Sequence, residues 1–241
     1  MISKMKRSIS SRRRGFWFTT KTGQHIYVEE NETPKEACER VYKEKSEESK
    51  EKLDSTKSFA TQIDAVLSGA DTSTTHIRVM NTPKVLRELN VPDLPVIMTA
   101  KHIRSVALDD GKEKMNYHGL GAETVKRLPE LLSDPIMVMQ SRTKDDSIVV
   151  LTAELDKENR PIIAAVKLKG HGNIDDVEIE ANVLTSVYGK DNFSSFLNNN
   201  VSEDRIMWWS KAKAEQTGLS DLRVLSQVKD LPPDTVLKKM P

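Results

Sequence analysis

Between Asp134-Pro135 and Gly189 the chain presents four runs rich in β-branched and apolar residues: IMVMQS, SIVVLTAEL, PIIAAVKLKG and DVEIEANVLTSVYG. Only TKDD, DKENR and HGNID separate them. Connections this short cannot hold the crossover that parallel neighbours require, so they predict an antiparallel meander of four strands. The flanks have helical texture. AKHIRSVAL predicts a helix with Ile103, Val106 and Ala107 on its apolar face, preceded by the apolar run LPVIM. Ala122 to Leu132 predicts another, interrupted near Pro129, and Thr82-Pro83 opens a short one through KVLRELN. Beyond the meander, NFSSFLNNN and SEDRIMWWSKAKAEQ also predict helices, with Ser202 as N-cap of the second and Gly218 as its stop. On that helix one of Trp208 and Trp209 points into the core and the other could stack or contact a partner, with core packing of both the preferred reading.

The first seventy residues are different. GFWFTT and HIYVEE flank KTGQ in a β-hairpin pattern. Thr33-Pro34-Lys35-Glu36 then supplies an N-cap, a proline at N1 and a capping-box glutamate, so a helix should begin there. Its centre, KEKSEESKEK, is polar all round; apolar spacing returns at Leu53, Phe59, Ile63 and Val66 before Gly69 and the linker ADTSTT. The expected fold class is therefore α+β: an N-terminal hairpin and charged helix, then helices packed on a four-stranded antiparallel meander with closing C-terminal helices. The expected units are a basic arm and hairpin over 1–32, a charged helical linker over 33–71, and an α+β domain over 72–241.

Composition narrows the function. The net charge of +1 hides a basic arm: Lys4, Lys6, Arg7, Arg12, Arg13 and Arg14 fall in residues 1–14 with no acid, leaving −5 on the remainder. A non-specific nucleic-acid binder would carry a basic body, so any nucleic-acid role rests on a local site or on the arm. One cysteine, Cys38, excludes an internal disulfide and a multi-cysteine zinc site. No apolar window has the length of a membrane span and no signal-peptide pattern follows the start, so no membrane association is expected. Walker, dinucleotide-binding, HExxH and GxSxG motifs are absent.

The most informative positions are His102 in MTAKHIRSV and His118 in MNYHGLG. Two imidazoles can divide general-base and general-acid work near neutral pH. RNA cleavage needs that division, and metal is unnecessary where a cation stabilises the phosphorane charge. Lys101, Arg104, Lys190 and Arg205 are the cations in these regions. Against this stands the plain reading of both as surface or turn histidines, which also suffices for His25 in the hairpin, His76 at a strand start and His171 in the turn KGHGN. The second cluster is LTSVYGKDN, where a strand ends and a loop begins. Thr185, Ser186, Tyr188 and Lys190 could there bind a phosphate, stack on a base and neutralise charge; strand propensity accounts for them equally well.

Taken in order, LPVIMTAKHI, YHGLGAETVKRLPELLSDPIMVMQS, SIVVLTAELDKENRPIIAAVKL, LTSVYGK and WWSKAKA resemble the C-terminal toxin-like domain of phage MuF head-morphogenesis proteins and of large mobile-element proteins. The resemblance covers about residues 76 to 230. That family is grouped with the barnase, EndoU, colicin and RelE-like nucleases. The resemblance implies a metal-independent endoribonuclease toxin or effector domain, with no cofactor and no metal, acting in the bacterial cytoplasm. It implies RNA as substrate, tRNA among the candidates, and a cognate immunity or antitoxin protein as partner. Its polar positions fall on His102, His118, Ser186 and Tyr188, with Lys190 close by, and Lys101, Thr185, Arg205 and Lys211 as second choices. The alternative is a non-catalytic interaction module of a phage head or conjugative assembly. A transferase activity such as ADP-ribosylation is disfavoured by the lack of a nicotinamide-binding signature.

Overall fold

The computed structural model describes residues 15–20, 25–43, 59–70, 75–109, 117–216, 226, 228 and 230–241. Strands β1 (Gly15–Thr19) and β2 (His25–Glu29) pair antiparallel as a separate two-stranded sheet, with Trp17 opposite Tyr27. The KTGQ turn, the basic arm and all of KEKSEESKEK after Lys43 lie outside the described residues. Helix α1 covers residues 34–43. It starts as the capping box predicts: Glu36 N donates to Thr33 Oγ1 at 3.3 Å, and Thr33 N donates back to Glu36 Oε2 at 2.8 Å. Ala37, Cys38 and Val41 of α1 cover Ile26, Val28 and Phe18, which gives the hairpin a small core of its own.

The four predicted strands are present in meander order. They are β5 (Met137–Gln140), β6 (Ser147–Leu155), β7 (Pro161–Ile174) and β8 (Val177–Gly189), each antiparallel to the next. The sheet is wider than the four-stranded expectation, however. It has seven strands, because β3 (His76–Asn81) and β4 (Pro95–Thr99) extend it beyond β8, and β9 (Ile206–Trp209) extends it beyond β5. The order is β3-β4-β8-β7-β6-β5-β9, and β4 runs parallel to β8.

Strand β9 corrects the reading of IMWW as helix, and Ser202 corrects its cap. Ser202 ends α7 (Phe193–Ser202) instead of opening a helix, and only Lys211–Gln216 forms the following helix, α8; Gly218 is outside the described residues. Four consecutive apolar residues suit a strand whose two faces are both covered. Met207 and Trp208 pack into one core and Ile206 and Trp209 into the other. The adjacent tryptophans thus serve opposite faces. Trp209 is 3% exposed, and its Nε1 is a buried donor without a partner among the described residues.

Both faces of the sheet are indeed covered. One carries α2 (Phe59–Ser68), α4 (Ala100–Ala107), α5 (Ala122–Lys126) and α6 (Leu128–Ser133), whose Ile63, Val66, Ile103, Val106, Val125 and Leu128 meet Val138, Val150, Ala164 and Val187. The other carries α7 and Ala214 of α8 over Met137, Leu151, Ile163 and Trp209. Burial on two faces is why the meander strands read as nearly continuous apolar runs. The break expected near Pro129 falls at Arg127, between α5 and α6. Thr82 does not cap the short helix α3 (Lys84–Arg87); it turns inward at 2% exposure.

Candidate functional site

Strand β4 matches β8 only over Val96–Ile97 against Asn182–Val183. After Thr99 it becomes α4, so the last residues of β8 are flanked by a helix instead of a strand. The notch thus formed lies at the carboxyl ends of parallel neighbours, a place where α/β sheets gather polar side chains. His102 stands at its edge, and two bonds from one residue fix it. Thr99 caps α4 by accepting from His102 N at 3.0 Å, and the same hydroxyl lies 3.2 Å from His102 Nδ1. With Nδ1 as donor to that hydroxyl, Nε2 keeps its lone pair.

His118 is held by the same helix. Segment 118–121 runs along the last turn of α4: His118 N donates to Ser105 O at 2.8 Å, Leu120 N to Val106 O at 2.9 Å and Gly121 N to Ala107 O at 3.0 Å. Those carbonyls would otherwise be the unpaired end of the helix. Gly119 and Gly121 adopt φ of +57° and +83°, a region that favours glycine. The YHGLG motif is therefore a strap that satisfies a helix end and brings its histidine to the notch. There the His118 ring stacks on Tyr188, with centroids 5.4 Å apart and planes at 28°.

Partial burial lowers the His118 pKa, and the charges of His102 and Arg160 lower it further. Partial burial also lowers that of His102, helped by neighbouring Lys101. Burial raises the Tyr188 phenol. Both imidazoles are thus biased towards the neutral form at physiological pH.

The other sequence candidates divide. Ser186 is half-buried on β8, opposite Ala165. Thr185 is the extra residue of a bulge between the Ser186 and Leu184 pairings, with its hydroxyl donating to Ala165 O at 3.2 Å. The bulge lets Leu184 and Val187 share one core. Lys190 donates its backbone N–H to Pro161 O, while its ammonium lies 5.3 Å from the centroid of the Phe196 ring. Arg205 and Lys211 are not brought to the notch. Strand β9 is four strands from β8, roughly 19 Å. Arg205 precedes it at the opposite end of the sheet, bonded to Glu203 and to Ser141 O. Lys211 pairs with Glu215. His171 is in β7 opposite Glu180, not in a turn, and its Nδ1 lies 2.8 Å from the Tyr42 hydroxyl.

Sequence reasoning passed over Asp156 and Arg160, which appeared only as the connector DKENR. Asp156 accepts from Glu158 N and Arg160 N through Oδ1, each at 2.9 Å, and from Arg160 Nε through Oδ2 at 2.7 Å. Burial opposes its ionisation, but these bonds outweigh that and its pKa is lowered. A Cβ on Gly189 would stand 1.9 Å from Asp156 Oδ2, so only glycine lets β8 pass this close. The Asx turn that Asp156 makes with Glu158 was the one local signal available.

Residues 109–216 match the family model described as the phage MuF C-terminal domain. The match takes in His118, Asp156, Arg160, Ser186, Tyr188 and Lys190, and begins downstream of His102. No curated protein and no solved structure matches the chain. Among the described residues no helix is long and apolar enough to cross a membrane, and no three His, Cys, Asp or Glu side chains are grouped to hold a metal ion.

Proposed function

We propose that this protein cleaves RNA by a metal-independent, histidine-based transfer reaction. The observation that carries this reading is the pinning of both histidines to one short helix, His102 through its cap and His118 through its last turn. His102, with Nδ1 donating to Thr99, is placed to take the ribose 2′-OH proton on Nε2. The 2′-oxygen attacks phosphorus, the bond to the 5′-oxygen breaks, and protonated His118 gives its proton to that leaving oxygen. The products are a 2′,3′-cyclic phosphate and a 5′-hydroxyl. Tyr188 and Ser186 line the end of β8, where they can orient the nucleotide. Lowered histidine pKa values place the optimum of kcat/KM below about pH 6.5, since one ring must carry a proton while the other does not. The site of action on this reading is the bacterial cytoplasm, and a cognate immunity or antitoxin protein is the expected partner.

The test is incubation of the purified chain with tRNA, rRNA and mRNA in EDTA, followed by end-group analysis. Cyclic phosphate termini made by the wild type and not by a folded His102→Ala, His118→Ala double variant support the reading. Intact RNA in every reaction sinks it.

A second reading, a docking module for a phage head or conjugative assembly, is favoured by one feature. The β1–β2 hairpin exposes Phe16 at 54% and Trp17 at 69%. A stoichiometric structural partner captured by wild type, lost on Trp17→Ala and kept by the double histidine variant, would support it.

A further inference from the structure

The cleavage reaction leaves one role unfilled: a cation for the negative charge that gathers on the phosphate oxygens in the transition state. The cations named from the sequence fit it poorly. The Lys190 ammonium sits over the Phe196 ring, and Arg205 precedes a strand four places from β8. Lys101 and Arg104 are one and two residues from His102 on α4, positions that do not share its face.

The turn between β6 and β7 offers another cation, and it meets the notch on two sides. Lys157 Nζ pairs with Asp109 Oδ2 at 2.6 Å, and a Cβ on Gly119 would stand 3.2 Å from Asp109 Cβ. The turn and the strap that bears His118 thus meet through Asp109. A Cβ on Gly189 would stand 3.1 Å from Arg160 Nε. That puts the guanidinium against the backbone beside Tyr188, the ring on which His118 stacks. Burial lowers the His118 pKa, and the charges of His102 and Arg160 are near enough to lower it further.

Arg160 is held at one edge and open at the other. Its Nε donates to Asp156 Oδ2 at 2.7 Å, and the Asp156 side chain, 2% exposed, is itself pinned by the backbone N–H groups of Glu158 and Arg160. Nη1 faces Glu158 at 2.9 Å and Asp191 at 3.1 Å, whose side chains are 56% and 72% exposed. Pairs so open to water are weak competitors. Nη2 has no partner among the described residues. The Nη1–Nη2 edge therefore remains to give a phosphate two parallel N–H bonds.

We propose that Arg160 is the cation of the notch, binding the scissile phosphate through its Nη1–Nη2 edge while Asp156 holds it in place. This assignment rests on the ribonuclease reading of the two histidines. Arg160 gives up no proton, and the bonds made and broken are those already described. A fork fixed before the reaction stabilises the added charge without reorganising. Asp156 acts only through Arg160 and is a positioning residue.

The experiment compares the full wild-type chain with Arg160→Gln and Arg160→Lys, with thermal melting of each as a control for folding. Binding of the adenine, guanine, cytosine and uracil nucleoside 3′-monophosphates is followed on the His118 ring resonances, and cleavage on a labelled oligoribonucleotide. Arg160→Gln should weaken binding of whichever nucleotide moves the His118 ring about tenfold, and lower kcat by about 10²-fold or more. Arg160→Lys keeps the charge without the fork and should fall between the two. The assignment is overturned if no nucleotide moves the His118 ring, or if folded Arg160→Gln binds as tightly as wild type. Should Arg160→Gln not fold, Arg160→Lys decides, and binding equal to wild type overturns the assignment. RNA cleavage by wild type alongside either of these results leaves the histidine reading standing. Arg160-dependent binding without RNA cleavage sinks that reading and keeps the phosphate contact.

Discussion

The two ends of β4 carry opposite solutions to holding polar groups on an apolar sheet. At its carboxyl end the groups are imidazoles, half-buried between α4, a strap and Tyr188, and biased towards neutrality. At its amino end they are guanidiniums at the surface, while uncharged Asn182 and Thr82 take the buried positions. Burial tunes a group that must exchange protons and would only penalise one that must keep its charge. On the proposed reading, proton transfer belongs to the carboxyl end of the strand.

That contrast can be broken by mutation, and the largest expected effect is on catalysis. His102→Ala or His118→Ala alone should lower RNA cleavage by about 10²–10⁴-fold, the usual contribution of a positioned acid or base, as measured by initial rates on a labelled oligoribonucleotide. An equal rate in either folded variant would dissolve the distinction between the two ends.

Stability comes next. Asn182→Ala strips Thr82 and Pro92 of a buried donor and should cost about 1–3 kcal/mol in urea unfolding. Gly189→Ala drives a methyl into Asp156 and should cost about 1–3 kcal/mol by the same measurement, because the carboxylate is pinned by three bonds and cannot yield cheaply. Thr99→Ala removes the α4 cap and should cost about 1 kcal/mol, with Thr99→Ser restoring most of it.

The smallest effect is a pH dependence that belongs to the carboxyl end. His102 and His118 have folded pKa values below the unfolded value of about 6.5. Between those values the unfolded chain binds more protons, so stability rises with pH. Their contribution is fully present above pH 6.5 and is lost as pH falls through the folded values. Half-buried His76 is shifted the same way, by burial, and adds to the slope. Melting temperature should fall as pH drops from 7 towards 5, and the double histidine variant should show a shallower fall. An unchanged slope would mean that the two imidazoles are solvated in the folded state.

Local signals were legible where one stretch of chain contains its own cause. The capping box at Thr33–Glu36, the AKHIRSVAL helix, the hairpin strands and the four meander strands all follow from periodicity or capping over a few residues. IMWW was not legible, because its flanks SEDR and KAKAEQ carry helical texture and only its place beside β5 makes it a strand. LPVIM was visible as an apolar run, but its pairing with β8 depends on residues nearly ninety positions away. Of the candidate residues, His118 and Tyr188 were found in the sequence and stack on each other, His102 stands on the helix that holds His118, and Ser186 lies two residues before Tyr188 on β8. Arg205 and Lys211 were separated from them because β9 takes the far edge of the sheet. Asp156 and Arg160 could not be singled out, since an Asp and an Arg in a polar connector look like any solvated turn until β8 passes over them at Gly189.

The sequence by itself determined the four meander strands, the capping-box start of α1 and the identity of the two histidines, because these depend on neighbours within a turn or a strand. Only the tertiary structure decided that His118 lies against Tyr188 and that Gly189 of β8 passes over Asp156. Each of these joins residues dozens of positions apart, and their meeting is set by strand order and sheet closure, which no local pattern encodes.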